Sequence, residues 1–122
     1  MKSKPKILIV DDDSIVRRSL SRAFKTHDVE IFEAANGQEG VDLWREVKPD
    51  LVILDVLMPI LTGPQVLSIM SDQVATRVVM ISAYKGENQE LGSEAAPKKP
   101  DLYIPKPFEN IFDVVKNTLS LL

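Results

Sequence analysis

The sequence predicts an α/β fold in which a parallel sheet of five strands is covered by helices on both faces. Three observations lead to this prediction. Five short runs are rich in apolar and β-branched residues and have little polar alternation, as in strands buried on both faces. Amphipathic stretches with apolar residues at spacings of three and four separate most of these runs. The connections are short, which favours parallel pairing through right-handed crossovers.

The first half of the chain supplies three of the strands. "KILIV" (6–10) predicts the first strand, and residues 14–25 follow as a helix in which arginines fill the gaps between apolar positions. "VEIFEA" (29–34) alternates enough for a strand at the edge of the sheet. Residues 36–47 have the spacing of a second helix, and "LVIL" (51–54) predicts the third strand.

The second half is less regular. "PQVLSIMSD" (64–72) predicts a helix with a favourable proline in its first turn, and "RVVMIS" (77–82) predicts the fourth strand. "DLYI" (101–104) and "FENIFDVVKNTLSLL" (108–122) predict the last strand and the last helix. Residues 84–100 contain two glycines, two prolines and few apolar residues where another helix belongs. We therefore expect that helix to be short or irregular.

Composition limits the classes of function. A chain of 122 residues fits one compact domain over residues 1–122, and 44% hydrophobic with 27% charged residues is typical of a folded globular protein. A net charge of −3 offers no basic surface for nucleic acid or anionic lipid. The absence of cysteine excludes disulfides and thiolate metal sites. Without a secretory leader or a tract long enough to span a membrane, we expect a cytoplasmic protein.

Chemically reactive side chains follow the predicted strands. Asp11 and Asp12 come after the first strand, Asp55 after the third, Ser82 ends the fourth and Lys106 comes just after the fifth. Because the carboxyl ends of parallel strands share one edge of the sheet, we expect these side chains to converge. Grouped carboxylates need a compensating cation, and their oxygens suit a hard divalent ion. The sequence therefore predicts a Mg²⁺ site around Asp55.

Some of these residues also have structural explanations. Asp13 is expected to cap the helix that follows it, and we do not predict it as a metal ligand. Capping does not explain Asp11 and Asp12, two consecutive acids at the end of a buried strand. A serine at a strand end or a lysine near the surface is common, so Ser82 and Lys106 gain significance only from their positions at the same edge.

These motifs resemble those of the receiver domains of two-component response regulators. The motifs that carry the resemblance are "LIVDDD", "LVILDVLMPILTG", "VVMISAY" and "YIPKPF", in that order, and the resemblance covers residues 6–122. It implies a flavodoxin-like (CheY-like) three-layer sandwich with the strand order 2-1-3-4-5. It also implies that the chain is a signalling phosphoacceptor that takes a phosphoryl group onto Asp55 from a sensor histidine kinase or a phosphotransfer protein.

The resemblance assigns a metal role to several residues. It implies that Asp12 and Asp55 bind Mg²⁺ directly, together with the main-chain carbonyl of Leu57, and that Asp11 acts through water. It further implies that Lys106 and the Ser82 hydroxyl contact the phosphoryl group.

The resemblance also implies a conformational switch, and two flanking residues bear on the lifetime of the phosphorylated state. Ser82 would move toward the phosphoryl group, and Tyr103 would turn into the space that opens. Leu57 and Tyr84, which flank the acyl phosphate in receivers, carry no carboxylate or amide to orient an attacking water. We therefore expect slow self-dephosphorylation.

The expected partners follow from the same resemblance. They are the phosphodonor and a downstream target protein or output domain that the sequence does not identify. A homodimer is possible, although the irregular residues 84–100 weaken any transfer of the usual dimer contacts. We expect no direct binding of nucleic acid and no membrane contact. Whether the chain stands alone or belongs to a longer regulator is left open.

Two other classes of protein use related features. A phosphohydrolase with a nucleophilic aspartate usually needs a second acid two residues later, where this chain has Leu57. A phosphorylation-independent pseudo-receiver, which acts only as an interaction module, would have lost one of the acids, the hydroxyl or the lysine. None of these is lost. Both alternatives are therefore disfavoured.

Overall fold

Five strands and four helices form the described part of the chain. The computed structural model describes residues 4–83 and 99–122. The elements in chain order are β1 (Lys6–Val10), α1 (Ser14–Phe24), β2 (Glu30–Ala34), α2 (Gly37–Val47), β3 (Leu51–Asp55), α3 (Gly63–Ile69), β4 (Arg77–Ser82), β5 (Leu102–Pro105) and α4 (Ile111–Leu119). None of these four helices has the length and apolar character that a membrane crossing requires.

The sheet has the predicted parallel topology. Its strand order is β2-β1-β3-β4-β5, and every neighbouring pair runs parallel. β2 lies at the edge, as its alternating pattern predicts. The strand order reverses between β1 and β3, where Val10 pairs with Leu54. Ligands of open parallel sheets bind beyond the carboxyl ends of strands at such a reversal.

Both faces of the sheet are buried. Alternate strand residues, among them Leu8, Leu54 and Met80, form one core cluster under α2 and α3. The intervening residues, among them Ile9, Ile53 and Ile81, form the other cluster under α1 and α4. This arrangement explains why the central strands lack polar alternation, since neither face meets water.

Three predicted helix boundaries are wrong by three residues, among them the end of α4, which lies at Leu119 and not at residue 122 because Ser120 is its C-cap. α3 ends at Ile69, three residues early, because Met70 leaves the helical region and acts as its C-cap. α4 begins at Ile111, three residues late, because the Asn110 side chain accepts hydrogen bonds from the main-chain N–H groups of Phe112 and Asp113 and so caps the helix there. The prediction of a short or irregular helix in residues 84–100 lies, apart from the last two residues, outside the described residues.

Candidate functional site

Three acidic side chains meet beyond the ends of β1 and β3. Asp11, Asp12 and Asp55 each place a carboxylate oxygen within 4.8 Å of the others. Asp11 and Asp55 are buried, whereas Asp12 is exposed. The convergence predicted from the strand ends therefore occurs, and it buries two of the three carboxylates almost completely.

Lys106 supplies the cationic partner of the two buried acids. Its Nζ lies 3.0 Å from Asp11 Oδ2 and 3.3 Å from Asp55 Oδ1, and its side chain is only 15% exposed. The main-chain N–H of Lys106 donates to the carbonyl of Ser82 at 2.8 Å, which holds the lysine beside the end of β4. One ammonium group thus lies against two buried carboxylates.

Burial dominates the electrostatics of Asp55. Desolvation, followed by the negative charge of Asp11, raises its pKa from 3.8 to about 7, although Lys106 opposes the shift. Burial by itself lowers the pKa of Lys106, but its hydrogen bond to Asp11 and the charges of Asp11 and Asp55 outweigh burial and raise that pKa. Among the residues that the structure describes, the Lys106 ammonium alone does not balance the three carboxylates, so the site favours additional positive charge.

The turn after β1 fixes the position of Asp11. Asp11 Oδ1 accepts the main-chain N–H of Asp13 at 2.9 Å, and Oδ2 accepts the lysine ammonium. Asp13 in turn accepts the N–H of Ile15 and caps α1, which confirms the predicted capping role. Asp13 is therefore occupied at the helix terminus, while Asp11 faces the acidic cluster.

The loop between β3 and α3 closes against Asp55. The N–H of Val56 donates to Ile81 on β4, and the N–H of Gly63 donates back to Val56 at 2.8 Å. A Cβ atom on Gly63 would lie 2.5 Å from the carbonyl oxygen of Asp55, so only glycine fits here. Leu57, two residues after Asp55, projects from this loop with 56% exposure.

The other predicted residues lie one or two strands away from Asp55. Ser82 is buried at the end of β4, next to Ile81, which pairs with Asp55. Tyr103 lies on β5 opposite Met80 and is 42% exposed, and partial burial raises its pKa. Tyr84 lies outside the described residues.

Arg17 belongs to the site although reasoning from strand ends misses it, because it lies on a helix. Its Nη1 donates to the main-chain carbonyl of Asp11 at 2.7 Å, and its Nε lies 3.3 Å from Glu33 Oε1. The available sequence signal is an arginine one turn into the helix that follows the acids. That signal does not specify the partner.

The family model of the response regulator receiver domain matches residues 7–116. The chain belongs to the receiver domain family. Members of this family are signalling phosphoacceptors, and they interact with histidine kinases or phosphotransfer proteins and with output domains. The resemblance inferred from the sequence motifs is therefore confirmed.

Individual relatives support the same assignment. This receiver domain is 38% identical to the transcriptional regulatory protein ResD of Bacillus subtilis over 108 residues, which are 87% of this chain and 43% of ResD. It is 39% identical to the chemotaxis protein CheY of Listeria monocytogenes over 106 residues, 85% of this chain and 87% of CheY. The chain thus spans less than half of ResD but most of CheY.

A solved structure supports the fold assignment. It is a chain of the CheX-CheY-BeF3-Mg²⁺ complex from Borrelia burgdorferi. The superposition covers 96% of this chain and 88% of that chain, with a TM-score of 0.79 and 30% sequence identity.

Proposed function

We propose that this receiver domain takes a phosphoryl group onto Asp55 from the phosphohistidine of a sensor histidine kinase or a phosphotransfer protein, and that the reaction depends on Mg²⁺. The phosphorylated domain then acts on a target protein or output domain. The observation that carries the proposal is the position of Asp55, a buried carboxylate that clusters with Asp11 and Asp12 and has the Lys106 ammonium 3.3 Å away.

The residues present fit a magnesium ion. The acidic cluster offers only oxygen ligands and carries more negative charge than Lys106 balances, which is the donor set that a hard divalent cation prefers. Asp12 and Asp55 would bind the ion directly with the main-chain carbonyl of Leu57, and Asp11 would bind through water. When bound, Mg²⁺ neutralises charge on the phosphoryl oxygens. The solved CheX-CheY-BeF3-Mg²⁺ complex supports Mg²⁺ as the ion.

Asp55 acts as the nucleophile. Its carboxylate oxygen forms a bond to phosphorus as the bond between phosphorus and the histidine nitrogen breaks, and the released imidazole takes up a proton from solvent. Phosphoryl transfer depends mainly on positioning and on electrostatic stabilisation. Lys106, already within 3.3 Å of Asp55, donates to one phosphoryl oxygen, and the Ser82 hydroxyl donates to another.

The phosphorylated state is long-lived. Hydrolysis requires a water molecule oriented for attack on phosphorus, and a side chain with a carboxylate or amide would provide that orientation. Leu57 lies exposed beside the site and offers neither group. We therefore propose that self-dephosphorylation is slow.

Ser82 and Tyr103 form the switch. A phosphoryl group adds charge and strong acceptor oxygens, which draw the Ser82 hydroxyl toward Asp55. Because the Ser82 carbonyl is bonded to the N–H of Lys106, movement at the end of β4 is transmitted to the end of β5. Tyr103 then turns into the space vacated beside β4, and the surface around β5 and α4 changes.

A phosphorylation-independent interaction module is not favoured. Such a module has no need to keep Asp11, Asp12 and Asp55 together or to hold Lys106 against two of them. A phosphohydrolase is not favoured either, because the exposed Leu57 stands where a second acid is needed.

Intact-mass measurement after incubation with acetyl phosphate and MgCl2 tests the proposal. We expect the purified domain to gain the mass of one phosphoryl group, and the gain to disappear in EDTA. The Asp55→Asn variant should gain nothing. Failure of the wild-type domain to gain mass, or a gain that persists in Asp55→Asn, would overturn the proposed function.

A further inference from the structure

Arg17 contacts the backbone of the acidic cluster from α1. Its Nη1 donates a 2.7 Å hydrogen bond to the carbonyl oxygen of Asp11. That carbonyl belongs to the peptide group joining Asp11 to Asp12. The guanidinium therefore contacts the backbone between two of the acids and not their carboxylates.

Two residues hold the guanidinium in place. Oε1 of Glu33, on β2, lies 3.3 Å from Arg17 Nε. Oε2 of Glu33 accepts a hydrogen bond from the hydroxyl of the buried Ser21 at 2.8 Å. Both carboxylate oxygens of Glu33 are thus engaged. Because Arg17 is only 17% exposed, it is fixed between the edge strand and the helix rather than extended into solvent.

Asp12 is the acid whose direction depends most on the backbone. Asp11 is held by the N–H of Asp13 and by Lys106, and Asp55 is held by Lys106. No residue in the described ranges donates a hydrogen bond to the Asp12 carboxylate or forms an ion pair with it. The Asp11–Asp12 peptide group is therefore the nearest group to Asp12 that a described side chain holds by a hydrogen bond.

That peptide group lies one position beyond the last hydrogen bond between β1 and β2. The N–H of Asp11, which belongs to the preceding peptide group, donates to Ala34 at 3.2 Å, and the Asp11 carbonyl accepts from Arg17. Loss of the arginine leaves the Asp11–Asp12 peptide group held only through the preceding residue. The peptide can then rotate, and the Asp12 carboxylate moves with it.

We propose that Arg17, held by Glu33 and Ser21, is a positioning residue for the binding of a divalent cation by Asp12. The inference rests on the proposed function of the acidic cluster. Glu33 balances the charge of Arg17, so the effect of Arg17 on the site is geometric rather than a long-range attraction or repulsion.

Calorimetric titration with MgCl2, without any phosphodonor, measures the effect directly. We expect Arg17→Ala to weaken Mg²⁺ binding about tenfold and Glu33→Gln to weaken it about threefold, as for residues that orient metal ligands indirectly. Arg18→Ala is the matched control, because it removes the same charge from an exposed position on the same helix. Its affinity should stay within about twofold of the wild type.

The rate of phosphorylation by acetyl phosphate separates positioning from a general loss of structure. Arg17→Ala should need about ten times more MgCl2 for its half-maximal rate, while its maximal rate stays close to that of the wild type. A merely structural role would lower the rate at every concentration of MgCl2. Should Arg17→Ala fail to fold, Glu33→Gln provides the same comparison.

Equal Mg²⁺ affinity in Arg17→Ala and Arg18→Ala would overturn the positioning role, as would a lower maximal rate with unchanged Mg²⁺ dependence. Failure of the proposed function is distinguishable from this outcome. If the wild-type domain binds Mg²⁺ but takes up no phosphoryl group, the proposed function fails. Weaker Mg²⁺ binding by Arg17→Ala than by Arg18→Ala would still support the role of Arg17.

Discussion

The burial of Asp55 carries an energetic cost. Burial raises its pKa from 3.8 to about 7 in the folded domain, whereas the unfolded chain has an ordinary carboxyl. A pKa raised by folding means that the native state binds the proton more tightly than the unfolded state. The resulting stabilisation is complete below the unfolded pKa and is lost as the pH rises toward and through about 7. Without metal, the domain therefore loses stability over this range.

The Asp55→Asn variant should reverse this loss, because an amide carries no charge to desolvate. In EDTA, we expect Asp55→Asn to have a higher free energy of unfolding than the wild type. This difference between the two proteins should be about 2 kcal/mol larger at about pH 8 than at about pH 5. Urea denaturation at both pH values measures the difference. Asp12→Asn is the control, because Asp12 is exposed. The change in the free energy of unfolding that it causes should depend less on pH than the change caused by Asp55→Asn. An equal gain at both pH values in Asp55→Asn would contradict the prediction.

Leu57 should control the lifetime of the phosphorylated state. An amide at this exposed position can hydrogen-bond a water molecule near the phosphorus, so Leu57→Asn should accelerate the loss of the phosphoryl group about tenfold. Intact mass followed after removal of the donor measures the rate. Ile60→Asn makes a similar change elsewhere on the same loop, at a residue that is 70% exposed, and should leave the rate unchanged. A Leu57→Asn rate equal to or below that of the wild type contradicts the idea.

At the scale of elements, the start of α3 is fitted closely to the end of β3. An alanine Cβ at position 63 would lie 2.5 Å from the Asp55 carbonyl oxygen and 3.1 Å from Val56 Cα. Both are backbone atoms, so the loop itself would have to move. We expect Gly63→Ala to lower the free energy of unfolding by about 3 kcal/mol and to weaken Mg²⁺ binding.

Gly40→Ala is the natural comparison for this prediction. Its Cβ would lie 2.9 Å from a methyl group of Val10, a side-chain atom that can shift more easily than backbone. Urea denaturation of both variants should therefore show a smaller loss for Gly40→Ala, about 1 kcal/mol. If Gly63→Ala lowers the free energy of unfolding no more than Gly40→Ala does, the loop between β3 and α3 can move to accept the methyl group, and the prediction is wrong.

Strands were more predictable than helix ends for a physical reason. Burial on both faces leaves an uninterrupted apolar run, so each predicted strand agrees with the structure to within one residue at either end. A helix terminus depends instead on which polar residue caps it. Asn110 caps α4, and the apolar periodicity that begins at Phe108 does not reveal this.

The site was predictable only as far as topology determines it. Parallel strands bring their carboxyl ends together, and this is sufficient to place Asp55 with Asp11 and Asp12. The hydrogen bond of Arg17 depends on how α1 packs beside β2, which local sequence patterns do not encode. Tertiary contacts of this kind therefore had to come from the structure.

At the scale of the whole molecule, Lys106 connects the acidic cluster to the end of β5. Its ammonium contacts Asp11 and Asp55, while its main-chain N–H donates to the Ser82 carbonyl at 2.8 Å. Ser82 also pairs with Pro105 where β4 and β5 lie side by side. Under the proposed function, a phosphoryl group on Asp55 would therefore act on both strands at once, through Lys106 and through the Ser82 hydroxyl.

This arrangement predicts that a phosphoryl mimic on Asp55 alters β5 and α4, and that Ser82 carries much of the effect. When BeF3⁻ and Mg²⁺ are added, the amide NMR chemical shifts of β5 and α4 should change in the wild-type domain. In Ser82→Ala these changes should be about half as large, because no hydroxyl is present to move toward the phosphoryl mimic. Ser68→Ala, an exposed serine on α3, should respond like the wild type. Equal shift changes in Ser82→Ala and wild type, with the mimic bound to both, would assign the coupling to Lys106 alone.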